Sequence, residues 1–189
     1  MKEKRLSNVA GFDDAPFARE HRGSVRIVGT VYAGLRFDGV LVGEIEKDGF
    51  DSAEKLASLI SGSRFAGHIQ LVLLQGIAFG GFNVVDVFKL SDRLGLPVLA
   101  VARRQPDMEA IKNALLGGID RGREKWEIIS RLGPMEPIGN AWIQRVGLSL
   151  EQAGAALKRF CLHGNIPEPL RTAHLIATAI ECGQSRGQV

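Results

Sequence analysis

Asp13, Gln75 and His174 are side chains whose types and settings could do chemistry, and each sits at the edge of an apolar pattern. Asp13-Asp14 closes Ser7–Asp14, a short segment that reads as a strand. Alternation sends the two carboxylates to opposite faces, Asp13 with Val9 and Gly11, Asp14 with Ala10 and Phe12. A carboxylate ending a central strand is a candidate ligand for Mg²⁺ or Mn²⁺, because hard cations take oxygen donors. Two acids before Ala-Pro also make an ordinary polar turn. A second acid would come from the cluster Glu44, Glu46, Asp48, Asp51 and Glu54, with Asp48 or Asp51 the candidates; Asp51 and Glu54 equally fit a capping box.

Gln75 ends an otherwise apolar run, Ile69–Leu74. A glutamine carbonyl binds Mg²⁺ without bringing charge. Two divalent ions within about 4 Å repel strongly and need several carboxylates. Gln75 therefore favours one metal, a weak site, or none. Gly80-Gly81-Phe82-Asn83 reads as the approach to a helix over Asn83–Leu94, whose free N–H groups would take a phosphate; a tight strand-to-helix turn explains the glycines as well.

In Gly164–Ala177, GNIPEPLRTAHLIA, a Pro-Glu-Pro turn precedes a helix bearing Arg171 and His174. Proline holds φ near the helical value and lacks an N–H, so Pro169 suits the first helical position and Pro167 stiffens the approach. Leu170, Ala173, Ala177 and Ile180 form the predicted buried stripe, with His174 at its border. A border histidine reaches a cleft from an anchored backbone, and its near-neutral pKa suits a phosphate or a leaving oxygen. A helical histidine can equally be packing or surface.

These residues need a sheet to hold them. Ser24–Ala33 and Val40–Glu46, the latter after a turn at Asp38-Gly39, read as further strands, and Asp51–Ile60 as a helix burying Ala53, Leu56, Ala57 and Ile60. Pro97–Val101 and Asn140–Gly147 read as strands; Pro106–Leu116, Glu124–Leu132 and a helix capped by Ser149 with Gln152 at N3 complete the chain. The order predicts three antiparallel strands followed by parallel ones. This α/β mixed sheet with helices on both faces is the ribonuclease H-like arrangement, and it would bring Asp13 and Gln75 to neighbouring strand ends.

At 189 residues, 45% apolar and 24% charged, the chain reads as one soluble domain over 1–189. No apolar run spans a bilayer, no secretory pattern opens the chain, and two cysteines fit free thiols in the cytoplasm. A net charge of +3 permits nucleic acid as partner without demanding it. Arg103, Arg104, Arg121, Arg123, Lys125, Arg131, Arg145, Lys158 and Arg159 give the later half a basic lean that could track phosphates or simply be solvated.

GFDDAPF (Gly11–Phe17), EKDGFDSAEKLASLI (Glu46–Ile60), LLQGIAFGGFNVVD (Leu73–Asp86), GLPVLAVARRQPD (Gly95–Asp107) and GNIPEPLRTAHLIA, in that order, resemble the archaeal family called endonuclease dU, a distant relative of endonuclease V. The resemblance implies a divalent-metal-dependent endonuclease acting on nucleic acid with deaminated bases such as deoxyuridine. It gives Asp13 the first-strand metal position and His174 the last active-site position. Gln75 stands where endonuclease V has an aspartate, and the Pro-Tyr-x-Pro strand-separating wedge is missing. The alternative is a non-catalytic nucleic-acid-binding module on the same fold. Asp13 and His174 are the expected catalytic residues, Asp13, Asp48 and Gln75 the expected metal donors, and Gly80, Gly81, Asn83 and Arg171 the expected substrate contacts.

Overall fold

The computed structural model describes residues 6–162 and 164–185; the charged opening Met1–Arg5 lies outside them. The chain begins with β1 (Asn8–Asp14), β2 (Ser24–Ala33) and β3 (Arg36–Glu46), then α1 (Ser52–Ser61), β4 (Leu71–Gln75) and a small hairpin of β5 (Ala78–Phe79) and β6 (Asn83–Val84). There follow α2 (Val87–Leu94), β7 (Val98–Ala102), α3 (Met108–Leu116), α4 (Gly122–Leu132), β8 (Glu136–Ile138), β9 (Ala141–Val146), α5 (Leu150–Phe160) and α6 (Glu168–Cys182). Among the described residues no helix is long and apolar enough to cross a membrane.

Seven strands form one sheet in the order β3-β2-β1-β4-β7-β9-β8. The first three are antiparallel neighbours, and β4 and β7 join in parallel. Alternation splits the core between two faces. Ala10, Phe12, Ile27, Val72 and Leu74 pack beneath α1 and α2; Val9, Leu71, Leu73, Leu99 and Val101 pack with Phe160 and Leu170 of α5 and α6. This is the mixed sheet with two helical layers expected from the sequence. The α5 capping box of Ser149 and Gln152 forms, and the stripe Ala153, Ala156, Leu157 and Phe160 is buried.

Several elements differ from expectation. The turn before β3 is at Gly34-Leu35, where Gly34 supplies a φ of 61°, so β3 continues through Asp38-Gly39 and takes up Asp38 as a bulge in its pairing with β2. β9 is antiparallel to β7. The α3–α4 crossover does deliver a parallel strand, the short edge strand β8, and a tight hairpin then inserts β9 between β8 and β7. Asn83 does not open α2. It pairs in the β5–β6 hairpin, whose loop uses left-handed Gly80 (φ 53°) and Gly81 (φ 86°), and α2 starts after Asp86, which caps it through Lys89 N–H. Ile180 is 42% exposed and leaves the α6 stripe.

The Pro-Glu-Pro turn has a structural task. α6 starts at Glu168 with Pro167 as its cap residue, and its first turn lies directly on β1. A Cβ at Gly11 would stand 2.7 Å from Pro169 Cβ and 2.8 Å from the Pro169 carbonyl carbon, so glycine is what lets the helix approach. Buried Thr30 donates its hydroxyl to the Pro169 carbonyl at 2.6 Å.

Candidate active site

The seat of α6 on β1 sets the position of His174. Its Nδ1 lies 2.8 Å from Asp13 Oδ2. Asp13 is buried at the end of β1, and its Oδ1 also accepts the Asp14 N–H at 3.0 Å. With an ionised Asp13 the imidazole donates through Nδ1, and Nε2 carries the lone pair or the second proton. The hydrogen bond to Asp13 is the main reason the His174 pKa is raised; burial opposes it, the Asp13 charge adds to it, and Arg103 works against it. Because β1 and β4 are parallel with Phe12 beside Leu74, the next residues, Asp13 and Gln75, end neighbouring strands on the same face.

A cleft of about 610 Å³ opens here, lined by Asp13, Asp14, Ala15, Pro16, Phe17, Gln75, Arg103 and His174. Gln75 Oε1 is enclosed and has no hydrogen-bond donor. A buried carbonyl left in this state costs free energy unless something positive meets it. A hard cation beside Asp13 would do so. The donors suit one divalent ion and not two: among the described residues no three His, Cys, Asp or Glu side chains are grouped to hold a metal.

Asp14 points the other way and accepts Gly80 N–H at 2.7 Å. Burial, followed by the charge of Asp13, pushes its pKa up to about 6, against the pull of the Gly80 N–H. A raised acid binds its proton more tightly folded than unfolded. Its contribution to stability is therefore complete below the unfolded value of 3.8 and is lost as pH rises through about 6. Asp14→Asn keeps an acceptor for Gly80 and removes the buried charge. It is expected to be more stable than wild type at pH 8 by roughly 2–3 kcal/mol, with the gap closing below pH 4. Urea unfolding across pH checks this, and a gap that does not change with pH contradicts it.

The remaining expected site residues do not gather in this cleft. Asp48 takes a left-handed φ of 53°, accepts Phe82 N–H at 2.8 Å, and donates its own N–H to the Gly80 carbonyl at 2.8 Å. The hairpin claims its carboxylate, so it is not brought to Asp13. Asp51 forms no capping bond; its Oδ1 accepts from Asn83 Nδ2 at 2.7 Å and from Glu46 N–H. Asn83 is fully buried and spent on Glu46, Asp51 and Ser52, which leaves it nothing to offer a substrate. Gly80 and Gly81 precede no helix, and the amides of Gly80 and Phe82 are already bonded to carboxylates. Arg171 holds Glu168 in a two-pronged pair and does not line the cleft. Lys125, counted in the basic lean, is buried, donates to the Asp48 carbonyl at 2.7 Å, and has its pKa pushed down by burial.

Arg103 and Phe17 were not singled out as site residues, yet both line the cleft. The signal for Arg103 was its place just past β7, the parallel neighbour of β4. Phe17 follows Asp13 by four residues in the link between β1 and β2, and the Lys47 ammonium, just past β3, sits 5.5 Å from its ring.

The family model for endonuclease dU matches residues 5–181. A UPF0215 protein of Deinococcus radiodurans is 53% identical over 184 residues, covering 97% of this chain and 94% of that protein; relatives therefore extend beyond archaea. A crystal structure of an Archaeoglobus fulgidus protein superimposes with a TM-score of 0.85 at 35% identity, covering 92% of this chain and 98% of that one. Endonuclease V of Ciona intestinalis, in complex with an inosine-containing 24mer DNA, superimposes with a TM-score of 0.59 at 13% identity, over 89% of this chain and 83% of that one. The last likeness concerns the fold.

Proposed function

We propose, from the premise that this chain belongs to the endonuclease dU family, that it is a cytoplasmic, divalent-metal-dependent endonuclease acting through one ribonuclease H-like domain spanning residues 1–189. Its substrate is nucleic acid, cut near a deaminated base such as deoxyuridine. The observation that carries the reading is the bond between buried Asp13 and His174, beside the donorless Gln75 carbonyl, in an open cleft. The inosine-containing DNA bound by the Ciona endonuclease V supports the partner class.

Asp13 and Gln75 would hold one Mg²⁺ or Mn²⁺. Such an ion, when bound, activates water and offsets charge on the phosphate. Asp13 fixes the imidazole through Nδ1, so His174 Nε2 is the atom that holds or passes a proton at the reacting phosphate. Arg103, which lines the same cleft, would supply a permanent positive charge to the phosphate. Incubation with uracil- or inosine-containing DNA and RNA plus Mg²⁺ or Mn²⁺ tests the reading. Cleavage is expected in wild type and not in Asp13→Ala or His174→Ala; cutting that survives both substitutions overturns the assignment.

Gln75 in place of an acid favours a second reading, a nucleic-acid-binding module that does not cut. It predicts salt-dependent binding with intact substrate at every metal concentration.

A further inference from the structure

The lining of the cleft is of two unlike kinds. Asp13, Gln75, Arg103 and His174 are polar, whereas Ala15, Pro16 and Phe17 are three consecutive apolar residues. A nucleic-acid strand is two-sided in the same way around any one linkage, with a charged phosphate on one hand and sugars and bases with apolar faces on the other. With the phosphate at His174 and Arg103, the adjoining nucleoside is left to the apolar residues. Phe17 is the largest apolar side chain in the lining.

These residues begin the link between β1 and β2, residues 15–23, which contains neither helix nor strand. Ala15 is tied down by its amide, which donates to the Arg26 carbonyl at 2.8 Å, and by packing on Val28 and Ala177. Pro16 is exposed, Phe17 is half-buried, and a second cavity of about 170 Å³ opens on the same three residues. The far part of the link is held by Lys47. Its ammonium donates to the Arg19 carbonyl and, at 3.1 Å, to the His21 carbonyl, and sits 5.5 Å from the centre of the Phe17 ring. Its amide donates to the Gly23 carbonyl at 3.0 Å. Glu44, Glu46, Asp48 and Asp51 are all near it in sequence, yet its ammonium bonds go to the link. We propose that Phe17 is the nucleoside-contacting residue of the cleft and that Lys47 is a positioning residue acting through it, an assignment that rests on the nucleic-acid reading above.

Fluorescence anisotropy of a short, labelled, uracil-containing single strand in EDTA reads binding by the full chain without cutting, and kinetics with Mn²⁺ separate KM from kcat. Phe17→Ala is expected to weaken binding and raise KM about tenfold, the effect of losing one contact between a base and an aromatic ring, with kcat within about twofold of wild type. Phe17→Tyr is expected to bind as wild type does. Lys47→Met is expected to weaken binding several-fold without changing its salt dependence, because the ammonium meets carbonyls and not phosphates. Lys47→Arg, which keeps the donors, is expected to recover most of that loss. Because Lys47 acts through Phe17, combining Lys47→Met with Phe17→Ala is expected to bind no more weakly than Phe17→Ala alone. Unchanged binding in Phe17→Ala, additive losses in the double variant, or a flatter salt dependence in Lys47→Met overturns the assignment and leaves the nuclease reading standing. A wild type that neither binds nor cuts the strand overturns both.

Discussion

On the proposed function, Asp13→Asn is expected to lower cleavage by about a thousandfold or more while leaving the fold intact, a loss of the size that follows when an oriented proton carrier and a metal-binding charge, the roles proposed for His174 and Asp13, disappear together. Asparagine has the shape to keep accepting the Asp14 N–H. What it lacks is the charge that holds His174. The bond to Asp13 is the largest cause of the raised His174 pKa, so wild-type His174 keeps its proton to higher pH than an ordinary histidine, and the variant should release it at lower pH. The imidazole resonances, followed by NMR through a pH titration, check this without any substrate. An unmoved titration would mean that the pair does not form in solution, whatever the effect on cutting.

Gly11→Ala is the second substitution with a large expected effect, this time through packing. The new Cβ meets both the ring and the backbone of Pro169, at 2.7 and 2.8 Å, and no rotamer change relieves a clash between Cβ and a carbonyl carbon. Overpacking of this kind costs about 1–3 kcal/mol, and lifting the helix also breaks the buried Thr30 bond, worth about 1 kcal/mol. Urea unfolding should show a loss near the sum, and amide exchange should quicken along α6. Because His174 rides on the same helix, activity should fall with it. Gly67→Ala is the matched control, since a Cβ there meets nothing within 4 Å. Equal stabilities for the two variants would show that α6 does not seat on β1 as described.

Features governed by neighbours in sequence were legible. Alternation located β1 and β2, the Ser149–Gln152 spacing located the start of α5, and short links predicted the antiparallel first three strands. What escaped depends on partners far along the chain. Gly80-Gly81-Phe82-Asn83 looks like a loop entering a helix until Asp14, 66 residues away, takes one amide and Asp48, 34 residues away, takes another. The same bonds explain why Asp48 looked like a free ligand: nothing near it in sequence uses its carboxylate. Gln75 and His174 line the cleft with Asp13, whereas Asn83 and Arg171 are polar residues whose bonding capacity is met inside the protein.

Asp13 and His174 are separated by 161 residues, and every strand of the sheet precedes α6. A chain is made from its N-terminus, and folding can start before synthesis ends. While the protein is still attached to the ribosome, in surroundings dense with RNA, the sheet is being completed but Asp13 has no imidazole beside it. The pair comes into being only once the last helix is free to dock. A translation product that stops before residue 174 inherits the β-strands and Asp13 without the imidazole that pairs with it.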